Sequence, residues 1–278
     1  MYRRSELFGA SGPRGRRSAP RRLRRPWLLL AIPLLVACSS EDGAGTVGIP
    51  DGGRGGGVAG GAGGAAGSGG SGGLGQAGGG GEAGGTGPCP ADMVLGGDVC
   101  IDRYEAPNEA GAYPLAMQTA PDGEDWCAAR GKRLCTDVEW IRACEGAAGT
   151  LYPYGEDHIA HRCNDDQTWI APDWGALGTW PAQEALDEAE RLYQADPSGF
   201  RADCVSAEGA HDLTGNVAEW VVRTLPNSNN YDHVMKGCYW AGCYGGTLPN
   251  CTFVNPAHPG EFRSYEAGFR CCRDRSPP

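Results

Sequence analysis

Two short apolar runs, VL and VCI, flank a Gly-Gly pair in CPADMVLGGDVCIDRYE, residues 89–105. This pattern predicts a β-hairpin, with Cys89 and Cys100 placed to close its base. GEDWCAAR at 123–130 predicts a short helix stopped by Gly131. In KRLCTDVEWIRACEG, Thr136 followed by Glu139 forms a capping box, and Val138, Ile141 and Ala143, with Trp140 and Cys144, give the helix that follows a core-facing side. Residues 152–175 carry turns and aromatics without a period and are expected to be an ordered loop region. PAQEALDEAERLYQ, 181–194, predicts a helix with a strongly acidic polar face, expected to be a surface insertion. DLTGNVAEWVVRT, 212–224, predicts a short strand or helix, and YEAGFRCC, 265–272, an apolar strand before the C-terminus. Many short elements joined by long ordered loops describe an irregular α+β domain.

Upstream the pattern collapses. Residues 39–88 are almost entirely Gly, Ala and Ser, with 25 glycines between 43 and 87. Such a chain has too little apolar surface to offset the entropy of ordering it, and a flexible coil of this length spans about 40 Å. Before it, nine arginines and one acidic residue within 1–26 lead into WLLLAIPLLVAC, too short an apolar run for a membrane-spanning helix and placed as in an export signal. LVAC, 35–38, resembles the lipobox of bacterial lipoproteins, in which the cysteine is lipidated. The expected organisation is a lipoprotein-type signal peptide over 1–38 ending at Cys38, a linker over 39–88 and a folded body over 89–278. The expected location is the bacterial cell envelope, anchored by lipid to the membrane, with Ser39 favouring the outer membrane.

Charge and cysteine content narrow the chemistry. The chain carries a formal −10, and beyond residue 38 there are 15 basic residues against 33 acidic ones, a formal −18. A nucleic-acid partner is excluded on electrostatic grounds, whereas calcium or a cationic partner suits this surface. Twelve cysteines remain in the body, an even number that predicts disulfides in an oxidising compartment, with connectivity open. No CxxC spacing is present for thioredoxin-like or zinc-knuckle chemistry.

The combination of AARGKRLCTDVEWIRACEG, YPYGE, DLTGNVAEW, MKGCYW and GFRC, over about residues 95–274, resembles the formylglycine-generating enzyme family, or sulfatase-modifying factor domain. The resemblance implies a disulfide-rich α+β domain with a variant of the C-type lectin-like fold. The enzymes of that family bind copper through two cysteines five residues apart. Aligned on KGCY, 236–239, those positions fall on Ala241 and Gly246 here, neither of which ligates copper. Cys238 and Cys243 are displaced from them, leaving only weak candidates for a shifted Cu(I) site or thiol chemistry; copper is not expected. The other expectation is that they bridge each other, Cys163, Cys204 or their neighbours.

The resemblance further implies pairing of Cys127 with Cys271 and Cys144 with Cys251, leaving Cys135 and Cys272 for an additional bridge. It implies calcium ligands at Asn164, Asn216 and Glu219, with Asp165 and Asp166 as helpers, since hard oxygens suit that ion. His258 is a further weak catalytic candidate, with Arg263 and Tyr265 as groove residues. His158 and His161 lack a third partner for iron. The function expected is a noncatalytic module binding an extracellular or envelope peptide, protein or glycan; the alternative is an enzyme with altered, formylglycine-generating-like oxidative chemistry, and a purely structural envelope role is a third reading.

Overall fold

The computed structural model describes residues 88–276. The leader, Cys38 and the Gly-rich segment lie outside the described residues. The predicted hairpin is formed by β1, Met93–Gly96, and β2, Val99–Asp102. Helix α1, Ala120–Ala128, begins three residues before the predicted start, because Thr119 and Asp122 form a capping box and Pro121 suits the first turn. A two-residue strand, β3 at Arg133–Leu134, leads into α2, Asp137–Glu145. There Thr136 Oγ1 accepts from the Glu139 N–H and Glu139 Oε2 accepts from the Thr136 N–H, as the capping box requires. A single turn, α3 at Trp174–Leu177, packs beside α4, Gln183–Leu192. Ala189 and Leu192 of α4 are buried in the main core, so this helix is an integral wall of the domain as well as an acidic surface.

Four strands follow: β4, Ala218–Val222; β5, His233–Lys236; β6, Val254–Asn255; and β7, Ala267–Phe269. The last, β8, is Cys271–Asp274. They build two four-stranded sheets, ordered β1-β2-β8-β3 and β6-β5-β4-β7. All pairs are antiparallel except β4 with β7. The C-terminal run predicted as one strand is thus two, in different sheets, and Arg270 is the residue at the crossing.

Alternation along β4 and β5 assigns the core. Trp220 and Met235 enter one apolar cluster with Trp240 and Phe269, while Val221 and Val234 enter a second with Trp140 and Ile101. Period-2 side-chain placement therefore buries this sheet on both faces. Two glycines permit the loops above it to close: a Cβ on Gly215, at φ +82°, would lie 2.3 Å from the Asn164 carbonyl oxygen, and one on Gly237, also at φ +82°, would lie 2.7 Å from that of Leu213.

Six disulfides tie the elements: Cys89–Cys100, Cys127–Cys271, Cys135–Cys272, Cys144–Cys251, Cys163–Cys204 and Cys238–Cys243. Adjacent cysteines on β8 point to opposite faces, so Cys271 reaches α1 while Cys272 reaches the residue after β3. Among the described residues no helix is long and apolar enough to cross a membrane.

Candidate functional site

The segment after β5 builds the site. Gly237 and Cys238 both adopt left-handed backbone conformations, and the Gly242 N–H donates to the Tyr239 carbonyl at 2.8 Å, closing a turn. That turn brings Cys238 and Cys243 together as a disulfide. Neither therefore carries a free thiol, which removes them as thiolate nucleophiles or Cu(I) ligands in this oxidised state. Trp240 is locked beneath, its N–H donating to the Asn216 carbonyl at 3.0 Å and its carbonyl accepting from the Gln167 N–H at 2.8 Å.

Around this turn lies a continuous series of rings. Tyr244 stacks on Tyr239, with centroids 5.8 Å apart; Tyr239 meets Tyr265 edge-on at 6.2 Å; Tyr265 contacts Trp174 at 6.0 Å; and Trp174 contacts Phe262 at 6.2 Å. Tyr239 and Tyr265 are buried, whereas Tyr244 and Trp174 are each 50% exposed. Under the rings sits Glu266, 2% exposed, whose Oε1 accepts from the Tyr244 hydroxyl. Its Oε2 has no hydrogen-bond partner, and neither has the buried Ser264 hydroxyl. Burial pushes the Glu266 carboxyl up to about 7, although the nearby Tyr244, Tyr265 and Ser264 hydroxyls act in the opposite direction. Burial and the Glu266 charge also push the Tyr244 phenol far up, so it remains a donor throughout the physiological range.

The three residues of the calcium expectation each meet protein partners. Glu219 is taken by Arg270, whose Nε and Nη2 each lie 2.7 Å from one carboxylate oxygen, and Trp140 Nε1 adds a hydrogen bond of 2.8 Å. Asn216 Oδ1 accepts from Asn164 Nδ2 and from the Asp196 N–H, and Asn164 Oδ1 accepts from Gln167 and Arg201. In this structure these oxygens accept hydrogen bonds from protein donors. Among the described residues no group of three or more His, Cys, Asp and Glu is arranged to hold a metal ion.

Glu219, Glu105 and Asp212 surround the fully buried guanidinium of Arg270. Burial first, and then the neighbouring Asp212 charge, hold the Glu105 carboxyl well above its ordinary range. Burial raises Asp212 to about 6. This network is structural: it joins β4, the strand crossing and the loop after β2.

The remaining candidates are dispersed. His258 stacks flat on Phe262 at 3.8 Å, and burial lowers its pKa, so it extends the aromatic series without a carboxylate partner. Arg263 pairs with Asp122 at 2.6 Å and faces the Trp180 ring, which makes it a packing residue. His158 meets Asp165 at 3.0 Å and His161 meets Asp166, two separate pairs on one loop. Sequence reasoning missed Tyr244, Trp174 and Glu266. For Glu266 a signal existed: it is the acid inside the otherwise apolar run YEAGF.

A family model described as the sulfatase-modifying factor enzyme 1-like domain matches residues 97–275. The inactive C-alpha-formylglycine-generating enzyme 2 of Bos taurus is 27% identical over 169 residues, covering 60% of this chain and 52% of the relative. Its Mus musculus counterpart is 28% identical over 168 residues, covering 59% and 50%. The chain thus spans about half the length of these curated relatives. The solved structure of CarF aligns with a TM-score of 0.45 at 14% identity, over 64% of this chain and 87% of that one.

Proposed function

The chain belongs to the sulfatase-modifying factor enzyme 1-like domain family, and from that premise we propose that it is a noncatalytic binding member of it. The Cys238–Cys243 bridge carries this reading: the thiols nearest the positions where the family resemblance places copper are bonded to each other. The description of the mammalian relatives as inactive supports the same direction. On this reading the scaffold, a variant of the C-type lectin-like fold, is retained to present a surface. Cys38 is the lipid anchor at the end of the signal over 1–38, residues 39–88 are the tether, and the body over 89–278 faces an envelope or extracellular peptide, protein or glycan from the outer membrane. The six bridges require the body to mature in an oxidising space.

Peptide mass mapping of protein purified from an oxidising compartment, combined with copper titration and oxygen consumption in the presence of a cysteine peptide, tests the reading. All twelve body cysteines should be bridged, with no stoichiometric copper and no peptide oxidation. Stoichiometric copper accompanied by oxygen-dependent oxidation of the peptide would overturn it and establish the oxidative alternative.

A further inference from the structure

We propose that the surface between Trp174 and Tyr244 binds a cationic amine, a lysine- or arginine-type side chain of a protein partner, seated on the rings with its charge directed to Glu266. The proposal rests on the binding-module reading and assigns that module its ligand chemistry.

Three independent observations converge. Two half-exposed rings, Trp174 and Tyr244, end a run of ring contacts that passes through the buried Tyr265 and Tyr239. The faces of such rings are electronegative and attract cations. Next to Tyr244 and Tyr265, Glu266 Oε2 and Ser264 Oγ are buried without a hydrogen bond of normal geometry. The Tyr265 and Ser264 hydroxyls lie close enough to the carboxyl to stabilise its charged form, while Oε2 itself makes no hydrogen bond of normal geometry. A buried acceptor left unpaired costs about 1–3 kcal/mol, which a ligand donor would recover. Finally, the formal −18 beyond residue 38 attracts cations and repels anions.

Access requires one movement. The Tyr244 hydroxyl covers the carboxyl at Oε1, and the two residues after it, Gly245 and Gly246, are exposed at positive φ with open space where a Cβ would stand. On this proposal, a swing of the Tyr244 side chain, which these two glycines leave room for, uncovers Glu266. A neutral sugar would gain ring stacking and one acceptor from the same surface but nothing from its charge, which is why the amine is favoured.

The test uses the full chain with its bridges intact and follows tryptophan fluorescence during titration with N-acetyl-lysine methylamide. A lysine-rich peptide, the uncharged norleucine analogue and a neutral oligosaccharide are titrated in parallel. The amine and the peptide should bind while the norleucine analogue does not. Glu266→Gln and Tyr244→Ala should each weaken binding by about tenfold or more, with circular dichroism unchanged; Tyr244 is half-exposed, so its variant is informative even if Glu266→Gln folds poorly. Equal binding of the norleucine analogue, preference for the oligosaccharide, or no amine binding up to about 10 mM would overturn the assignment. Failure of amine binding without copper-dependent oxidation removes only the ligand class; such oxidation removes the binding-module reading itself.

Discussion

Glu266 and Arg270 stand four residues apart on the same C-terminal run, both almost fully buried and both ionisable, yet their surroundings are opposite. Arg270 is saturated: two bonds go to Glu219, and its Nη groups also reach the carbonyls of Asp102 at 3.3 Å and His211 at 2.8 Å. Glu266 has the Tyr244 hydroxyl on one oxygen and no partner on the other. The first arrangement locks two sheets at the point where the chain crosses between them. The second leaves polar capacity unspent next to exposed rings. Burial alone therefore does not distinguish scaffold from site; unmet hydrogen bonding does.

The contrast predicts a large asymmetry on substitution. Glu219→Ala leaves the guanidinium unpaired in the core and should cost ~3–5 kcal/mol in chemical denaturation of the oxidised protein. Glu266→Gln should change stability by no more than about 1 kcal/mol, and in the stabilising direction above pH 7, where burial penalises the carboxylate. If the two variants were equally damaging, the division between scaffold and site would be wrong.

The disulfides sharpen the same division. Cys127–Cys271 spans 144 residues and ends beside Arg270, whereas Cys238–Cys243 spans 5 beside the rings. Chain-entropy arguments give ~5 kcal/mol for the first closure and ~2 kcal/mol for the second. Denaturation midpoints of the paired Cys→Ala variants should follow that order. Loss of the short bridge should leave the far-ultraviolet circular dichroism intact.

The smallest effect is on pH dependence. Burial raises Glu266 to about 7 and Asp212 to about 6, from ordinary values of 4.5 and 3.8. The native state holds these protons more tightly than the unfolded chain, so their contribution is full below the ordinary values and is lost as pH rises through 6 and 7. Glu139, lowered overall by its Arg133 and Thr136 bonds despite opposing burial, acts the other way and loses its contribution on acidification. Urea midpoints should therefore fall between pH 5 and pH 8, and Glu266→Gln should flatten the upper half of that fall. A midpoint that rises over this interval would contradict the assigned environments.

Local signals made part of this legible in the sequence. The Gly-Gly hairpin and the Thr136–Glu139 box announce their elements because turn and cap chemistry act over a few residues. The Thr119–Asp122 box was equally local but lay before the predicted helix, and Pro121 marked it. What short-range pattern could not convey was partnership across the chain. Nothing in the sequence near Glu219 shows that Arg270, 51 residues later, meets both its oxygens. The apolar run 265–272 resembles one strand until the two sheets divide it at Arg270. The rings were visible as residue types, but their sequence of contacts depends on α3 meeting the loops after β5 and before β7.

The Cys89–Cys100 bridge has a mechanical consequence. β1 is an edge strand, whereas β2 is hydrogen-bonded on both sides, to β1 and β8. Tension applied to the chain ahead of Cys89 would otherwise peel the edge strand away one hydrogen bond at a time. The bridge diverts that load past β1 into the inner strand, which is paired on both sides. A body pulled from its N-terminal side is thereby loaded at β2 and not at its edge strand.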